Sequence, residues 1–224
     1  MRIKALIFDF DGLILDTETP EVDVWSEIYA EHGFDMPFDL WAETIGGYGI
    51  STFNAAVHLN QLAGQSLDVE ALHTRYQAES RKRIASNSIR AGVLDYLTTA
   101  HRLNIRCAVA SSSSHQWVDT HLARLGLTQH FDKLICSDDV PPGRTKPNPD
   151  LFLKALEQLR VRANEAIVFE DSPNGVTAAN RAGIFVVAVP NPLTSRLMIH
   201  GENLRLHSLA DLPLVDLLAR FEVK

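Results

Sequence analysis

Residues 3–8 form a short apolar run that ends in Asp9-Phe10-Asp11-Gly12, a pattern that predicts a buried strand entering a polar turn. The period then changes. Val22, Trp25, Ile28 and Tyr29 recur at three- and four-residue spacing and Gly33 closes the run, which predicts a helix. The same spacing predicts helices over 38–45, 51–62 and 67–84, so the chain is expected to be all-helical from residue 17 to residue 86. From residue 88 onward apolar strands at 105–110, 133–136, 166–170 and 184–189 alternate with helices at 92–103, 115–125, 149–159, 173–182 and 212–221. Such alternation predicts an α/β fold with a Rossmann-like parallel sheet covered by helices on both faces. The helical stretch then reads as a cap domain, residues 17–86, inserted into a catalytic core made of residues 1–16 and 87–224.

The chain has 224 residues, 46% hydrophobic and 22% charged, which is ordinary for a soluble globular protein of one large or two modest domains. No apolar segment is long enough to span a bilayer, and residue 1 leads straight into the first strand without a secretory segment. Cys107 and Cys136 lie in or at the end of strands and form no CxxC pair, so buried free thiols in a reducing compartment are expected. The expected location is cytoplasmic, the expected state a monomer or weak dimer. The net charge of −7 resides in residues 17–86, with eleven acidic and four basic side chains, while the rest carries seventeen of each. An acidic chain with no basic stripe excludes nucleic acid as the expected partner, and no membrane partner is expected either.

Ligands of open α/β sheets sit at the carboxyl ends of the strands. Asp9 and Asp11 come after the first strand, Ser111 and Ser112 after the second, and Glu170 and Asp171 after the fourth; Lys146 lies in a loop before a helix. Each alone reads as an ordinary turn or helix start. Together they fall at one end of one sheet. Two like charges about 4 Å apart repel by roughly 4 kcal/mol at an effective dielectric near 20, more than one lysine offsets for four acids. A hard divalent ion with oxygen ligands, Mg²⁺, is therefore expected as cofactor, and metal, lysine and hydroxyl make a receptor for a phosphoryl group.

With Asp9-Phe10-Asp11-Gly12, Ser111, Lys146 and Glu170-Asp171 in this order, the chain resembles the haloacid dehalogenase-like hydrolases, in the branch of β-phosphoglucomutase and small sugar-phosphate phosphatases. The resemblance implies that Asp9 attacks phosphorus and that Asp11 serves as general acid and then base. It also implies that Ser111, the backbone N–H of Ser112 and Lys146 hold phosphoryl oxygens. Asp9, the backbone carbonyl of Asp11, Asp171 and Glu170 (directly or through water) would hold Mg²⁺. A halide leaving group needs no proton, so the presence of Asp11 argues against dehalogenation.

Thr17 and Glu18 fall at the hinge of the cap, and Tyr48 and Arg75 are its candidates for substrate contact. Sequences like β-phosphoglucomutase would carry a histidine shortly after the hinge and an arginine in the first cap loop; this chain has Glu21 and Gly47-Tyr48-Gly49. The expected activity is therefore hydrolysis of a small phosphorylated metabolite, with the mutase as alternative. A phospho-accepting receiver places its aspartate after a middle strand and has no cap, and a silent binding relative would have no use for the intact acids.

Overall fold

The structure, a computed structural model, describes residues 3–45 and 52–222. Its centre is the first apolar run, where Ala5–Phe8 forms strand β1 with every residue buried. Arg106–Ala110 (β2), Lys133–Ile135 (β3), Ala166–Glu170 (β4), Phe185–Ala188 (β5) and Leu204–Arg205 (β6) complete a six-stranded sheet in the order β3-β2-β1-β4-β5-β6. All five pairings are parallel, with Phe8 level with Val109 on one side and Phe169 on the other. The chain runs outward from β1 through β2 to β3 and then returns to the opposite side for β4. That reversal opens a crevice at the carboxyl end of β1.

Alternation along the strands gives the sheet two different faces. Leu6, Phe8, Cys107, Val109, Ile167 and Phe169 join one apolar cluster, beneath Val93–Arg102 (α5), His115–Leu125 (α6) and Leu214–Glu222 (α9). Phe8 stacks on Phe169 at 4.9 Å between centroids, and Tyr96 meets Phe169 edge-on at 5.3 Å. The other face presents Ala5, Ala108, Ala110 and Ala166 beside Ile7, Ile135, Val168 and Val186. Leu151, Phe152, Leu156 and Leu159 of Asp150–Leu159 (α7) join this second cluster, with Pro173–Arg181 (α8) alongside. Both cysteines are buried and unpaired.

Glu18–Glu31 (α1), Phe38–Ala42 (α2), Ala55–Leu62 (α3) and Val69–Ser86 (α4) pack around a third cluster that includes Trp25, Ile28, Tyr29, Trp41, Leu59 and Leu72. Leu193, from the segment after β5, also belongs to it. Two of these helices begin later than the spacing predicts because Asn54 and Asp68 are their caps, accepting from the N–H of Val57 and from those of Glu70 and Ala71. The two-residue strand β6 was not expected, since so short a stretch has no period to read. Among the described residues no helix is long and apolar enough to cross a membrane.

The stack beneath β1 and β4 supports the site loops directly above it. Phe169→Ala is expected to lower unfolding free energy by about 3–5 kcal/mol. Denaturant titration checks this, and a loss under about 1 kcal/mol would show that the stack does not carry the sheet.

Candidate active site

Asp9 is the first residue beyond β1, and its side chain is buried. The ammonium of Lys146, only 2% exposed, forms an ion pair with Asp9 Oδ1 and lies 2.6 Å from Glu170 Oε1. Glu170 is the last residue of β4. Its other oxygen, Oε2, accepts from the N–H of Asp171 at 3.1 Å and from the hydroxyl of Ser172 at 3.3 Å, at the threshold of α8. Helix α8 passes close enough that a Cβ on Gly175 would lie 1.9 Å from the Glu170 carboxyl carbon, so only glycine fits. Asp171 Oδ2 accepts from Asn191 Nδ2 at 3.0 Å and Thr194 Oγ1 at 3.3 Å, while its Oδ1 is buried with no hydrogen bond among the described residues.

One oxygen each from Asp9, Glu170 and Asp171 lie within 4.8 Å of one another. Burial, then repulsion from Glu170, pushes the Asp9 carboxyl up to about 8. Burial and repulsion from Glu18 raise Asp171 well above the carboxylate range. Burial disfavours the charge on Lys146, but Asp9 and Glu170 outweigh it and hold this lysine above its ordinary value. One buried cation faces three buried carboxylates, and Asp171 Oδ1, with no hydrogen bond among the described residues, is a hard oxygen donor. This donor set fits a hard divalent cation such as Mg²⁺.

Asp11 stands apart from that trio. Its Oδ1 accepts from Thr17 Oγ1 at 3.1 Å and Trp117 Nε1 at 2.8 Å, and its Oδ2 from Ser111 Oγ at 3.3 Å and Ser113 Oγ at 2.6 Å. Asp9, Asp11, Ser111, Lys146, Glu170, Asp171 and Thr17 are thus brought together, with Ser112 half-buried beside Ser111. Glu18 is buried and accepts from Asn191 Nδ2 at 2.8 Å; burial first, then repulsion from Asp11 and Asp9, pushes it up to about 8. Arg75 is not brought to the site. Its guanidinium is engaged with Glu31 at 2.7 Å and Glu79 at 2.7 Å, at the far end of α1 from Glu18, about 20 Å along the helix. Tyr48 lies outside the described residues.

Several members of the site have no clear signal in the sequence. Asn191 and Thr194 follow β5, where Pro190-Asn191-Pro192 reads as an ordinary turn. Arg90 donates to the carbonyls of Gly12, Val189 and Pro190, clamping two site loops. Gly12 takes φ +78°, and a Cβ there would lie 2.2 Å from Asp171 Oδ2. Trp117 gives no signal at all, since an aromatic residue on a helix reads as packing.

The profile of the family described as haloacid dehalogenase-like hydrolase matches residues 6–189. The chain belongs to the haloacid dehalogenase-like hydrolases. It is 43% identical over 216 residues to "Putative phosphatase YhcW" of Bacillus subtilis, covering 96% of each chain. It is 32% identical over 188 residues to the fructose-1-phosphate phosphatase YqaB of Escherichia coli, covering 84% of this chain and 97% of that one. The crystal structure of CbbY from Rhodobacter sphaeroides in complex with phosphate superposes with a TM-score of 0.69 at 26% identity, covering 93% and 96% of the two chains. The carboxylate trio of this hydrolase therefore sits on a fold shared with a phosphate-binding relative.

The raised carboxyls set a pH signature. Asp9 and Glu18 keep their protons to about 8, well above the unfolded value near 4, so without a cation the folded chain binds more protons than the unfolded one and loses stability as pH rises across that interval. A divalent cation held by Asp9 would replace its proton. The gain in Tm on saturating Mg²⁺ is thus expected to be larger near about pH 8.5 than near about pH 5.5, at roughly 2–4 °C per kcal/mol of linkage. Equal gains at both values would contradict a cation site built on these acids.

Proposed function

We propose that this hydrolase is a Mg²⁺-dependent phosphatase of small phosphate monoesters, sugar phosphates or similar metabolites, acting through an aspartyl-phosphate on Asp9. One observation carries the reading: Asp9, held by a buried lysine, stands beside Asp171, whose Oδ1 has no hydrogen bond among the described residues, and two residues on from Asp9 the acid Asp11 is held separately. The names of YhcW and YqaB support it.

An oxygen of Asp9 attacks phosphorus while the bond from phosphorus to the ester oxygen breaks, and Asp11 delivers its proton to that departing oxygen. Asp11 then takes a proton from the water that attacks the phosphorus of the aspartyl-phosphate, which frees phosphate and restores Asp9. Lys146, the N–H of Ser112 and the hydroxyl of Ser111 hold the phosphoryl oxygens. For this, Ser111 turns its proton from Asp11 to the substrate. Asp9, Asp171, the carbonyl of Asp11 and Glu170 would hold Mg²⁺, which would supply positive charge against the phosphoryl oxygens. Residues 17–86 serve as a cap that excludes water and meets the leaving group. The acids on that side, Glu18 and Glu21, the latter pushed up to about 7 by burial and by repulsion from Asp11, favour a leaving group without a second phosphate.

Phosphate release from a panel of sugar and polyol phosphates tests the reading, with Mg²⁺ and with chelator. Release is expected only with Mg²⁺; Asp9→Asn is expected to abolish it and Asp11→Asn to lower it by roughly 10²–10⁴-fold. Monophosphates are expected to outperform the matching bisphosphates. Interconversion of a hexose 1-phosphate and 6-phosphate without net release would overturn the hydrolytic reading in favour of a mutase.

A further inference from the structure

We propose that Trp117 is a positioning residue for Asp11, its indole N–H fixing the direction of the carboxyl group that protonates the departing oxygen. The inference rests on Asp11 acting as the proton donor in the phosphatase reaction. Trp117 lies in the first turn of α6, where its own backbone N–H is capped by Ser114 Oγ at 3.4 Å, and its Nε1 donates to Asp11 Oδ1 at 2.8 Å. Among the described residues, the other donors to that carboxylate are the hydroxyls of Thr17, Ser111 and Ser113. A hydroxyl rotates about its C–O bond and can redirect its proton, as Ser111 does when phosphate arrives; an indole N–H is donor only and points where its ring points.

That ring is braced. His121, one turn further along α6, meets the indole edge-to-face at 4.3 Å between centroids. Arg124 lies 3.4 Å from His121 Nδ1 and also donates to the carbonyl of Asn87 at 3.0 Å and to that of Ile84 at 3.4 Å. Asn87 in turn donates to the carbonyl of Asp16 at 2.7 Å. Residues 117, 121 and 124 share one stripe of α6. The stripe therefore holds the Asp11 carboxyl at one end and both strands of the connection to the helical layer, residues 16 and 84–87, at the other. Packing alone explains a half-buried indole, but not the choice of the proton-donating acid as acceptor for its N–H.

The test compares kcat/KM for two esters whose leaving groups differ in their need for a proton. p-Nitrophenolate departs unprotonated, whereas a sugar alkoxide does not. Trp117→Phe keeps the ring and removes the N–H. It is expected to lower kcat/KM for the alkyl phosphate best hydrolysed in the panel by about tenfold or more, and that for p-nitrophenyl phosphate by less than about threefold. Asp11→Asn should show the same asymmetry, and Trp117→Phe should add nothing in that background. Trp117→His, which restores a ring N–H, should recover part of the loss. Because kcat/KM ends at leaving-group departure, slow release of phosphate from Asp9 does not enter the comparison. Equal losses on both esters, or none on either, would overturn the role of Trp117 while leaving the phosphatase intact. A wild-type enzyme that hydrolyses neither ester would overturn the phosphatase reading itself.

Discussion

An ammonium group shielded from water stands between the carboxylates of Asp9 and Glu170, and a third carboxylate, Asp171, lies within 4.8 Å of both. Buried charge is tolerated only when compensated, and a single lysine does not compensate three acids. Burial first, and this excess of negative charge after it, raises Asp9 and Asp171 well above the usual carboxylate range. Such an excess of buried oxygen donors is what a hard divalent cation would offset. In the proposed reaction, lysine and cation together would offset the negative charge of a phosphoryl group.

The sheet delivers these groups because chain order reverses beside β1. Asp9 leaves β1 and Glu170 ends β4, its immediate neighbour, so the two acids meet without a long loop. Glycine makes the remaining room: Gly175 lets α8 approach Glu170, and Gly12 lets the first loop turn across Asp171. Asn191 then spans Asp171 and Glu18, joining the carboxyl end of the sheet to the first turn of α1. The candidate site and the route into the helical layer are thus parts of one hydrogen-bonded assembly.

Much of this was legible in the sequence because buried parallel strands are uninterrupted apolar runs, and polar residues at their ends stand out. Asp9, Ser111, Glu170 and Asp171 were found by that rule, and the alternation of strand and helix gave the layers. What escaped depends on contacts between distant positions. Trp117 meets Asp11 across 106 residues, and neither neighbourhood announces the other. Arg75 has the right charge for a substrate contact, yet charge does not say which carboxylate it meets, and Glu31 and Glu79 are nearer. Asn54 and Asp68 carry the signature of helix caps, but apolar periodicity ran past them. The strand β6 is defined only by its neighbour β5.

In the proposed reaction Asp9 carries the phosphoryl group during turnover. Acid quench of the enzyme at work on its preferred ester, followed by peptide mass mapping, tests this most directly. One phosphoryl group is expected on the peptide containing Asp9, transient during turnover and absent from Asp9→Asn. Phosphate release by an enzyme whose Asp9 peptide stays unmodified at every quench time, together with continued turnover in Asp9→Asn, would contradict it.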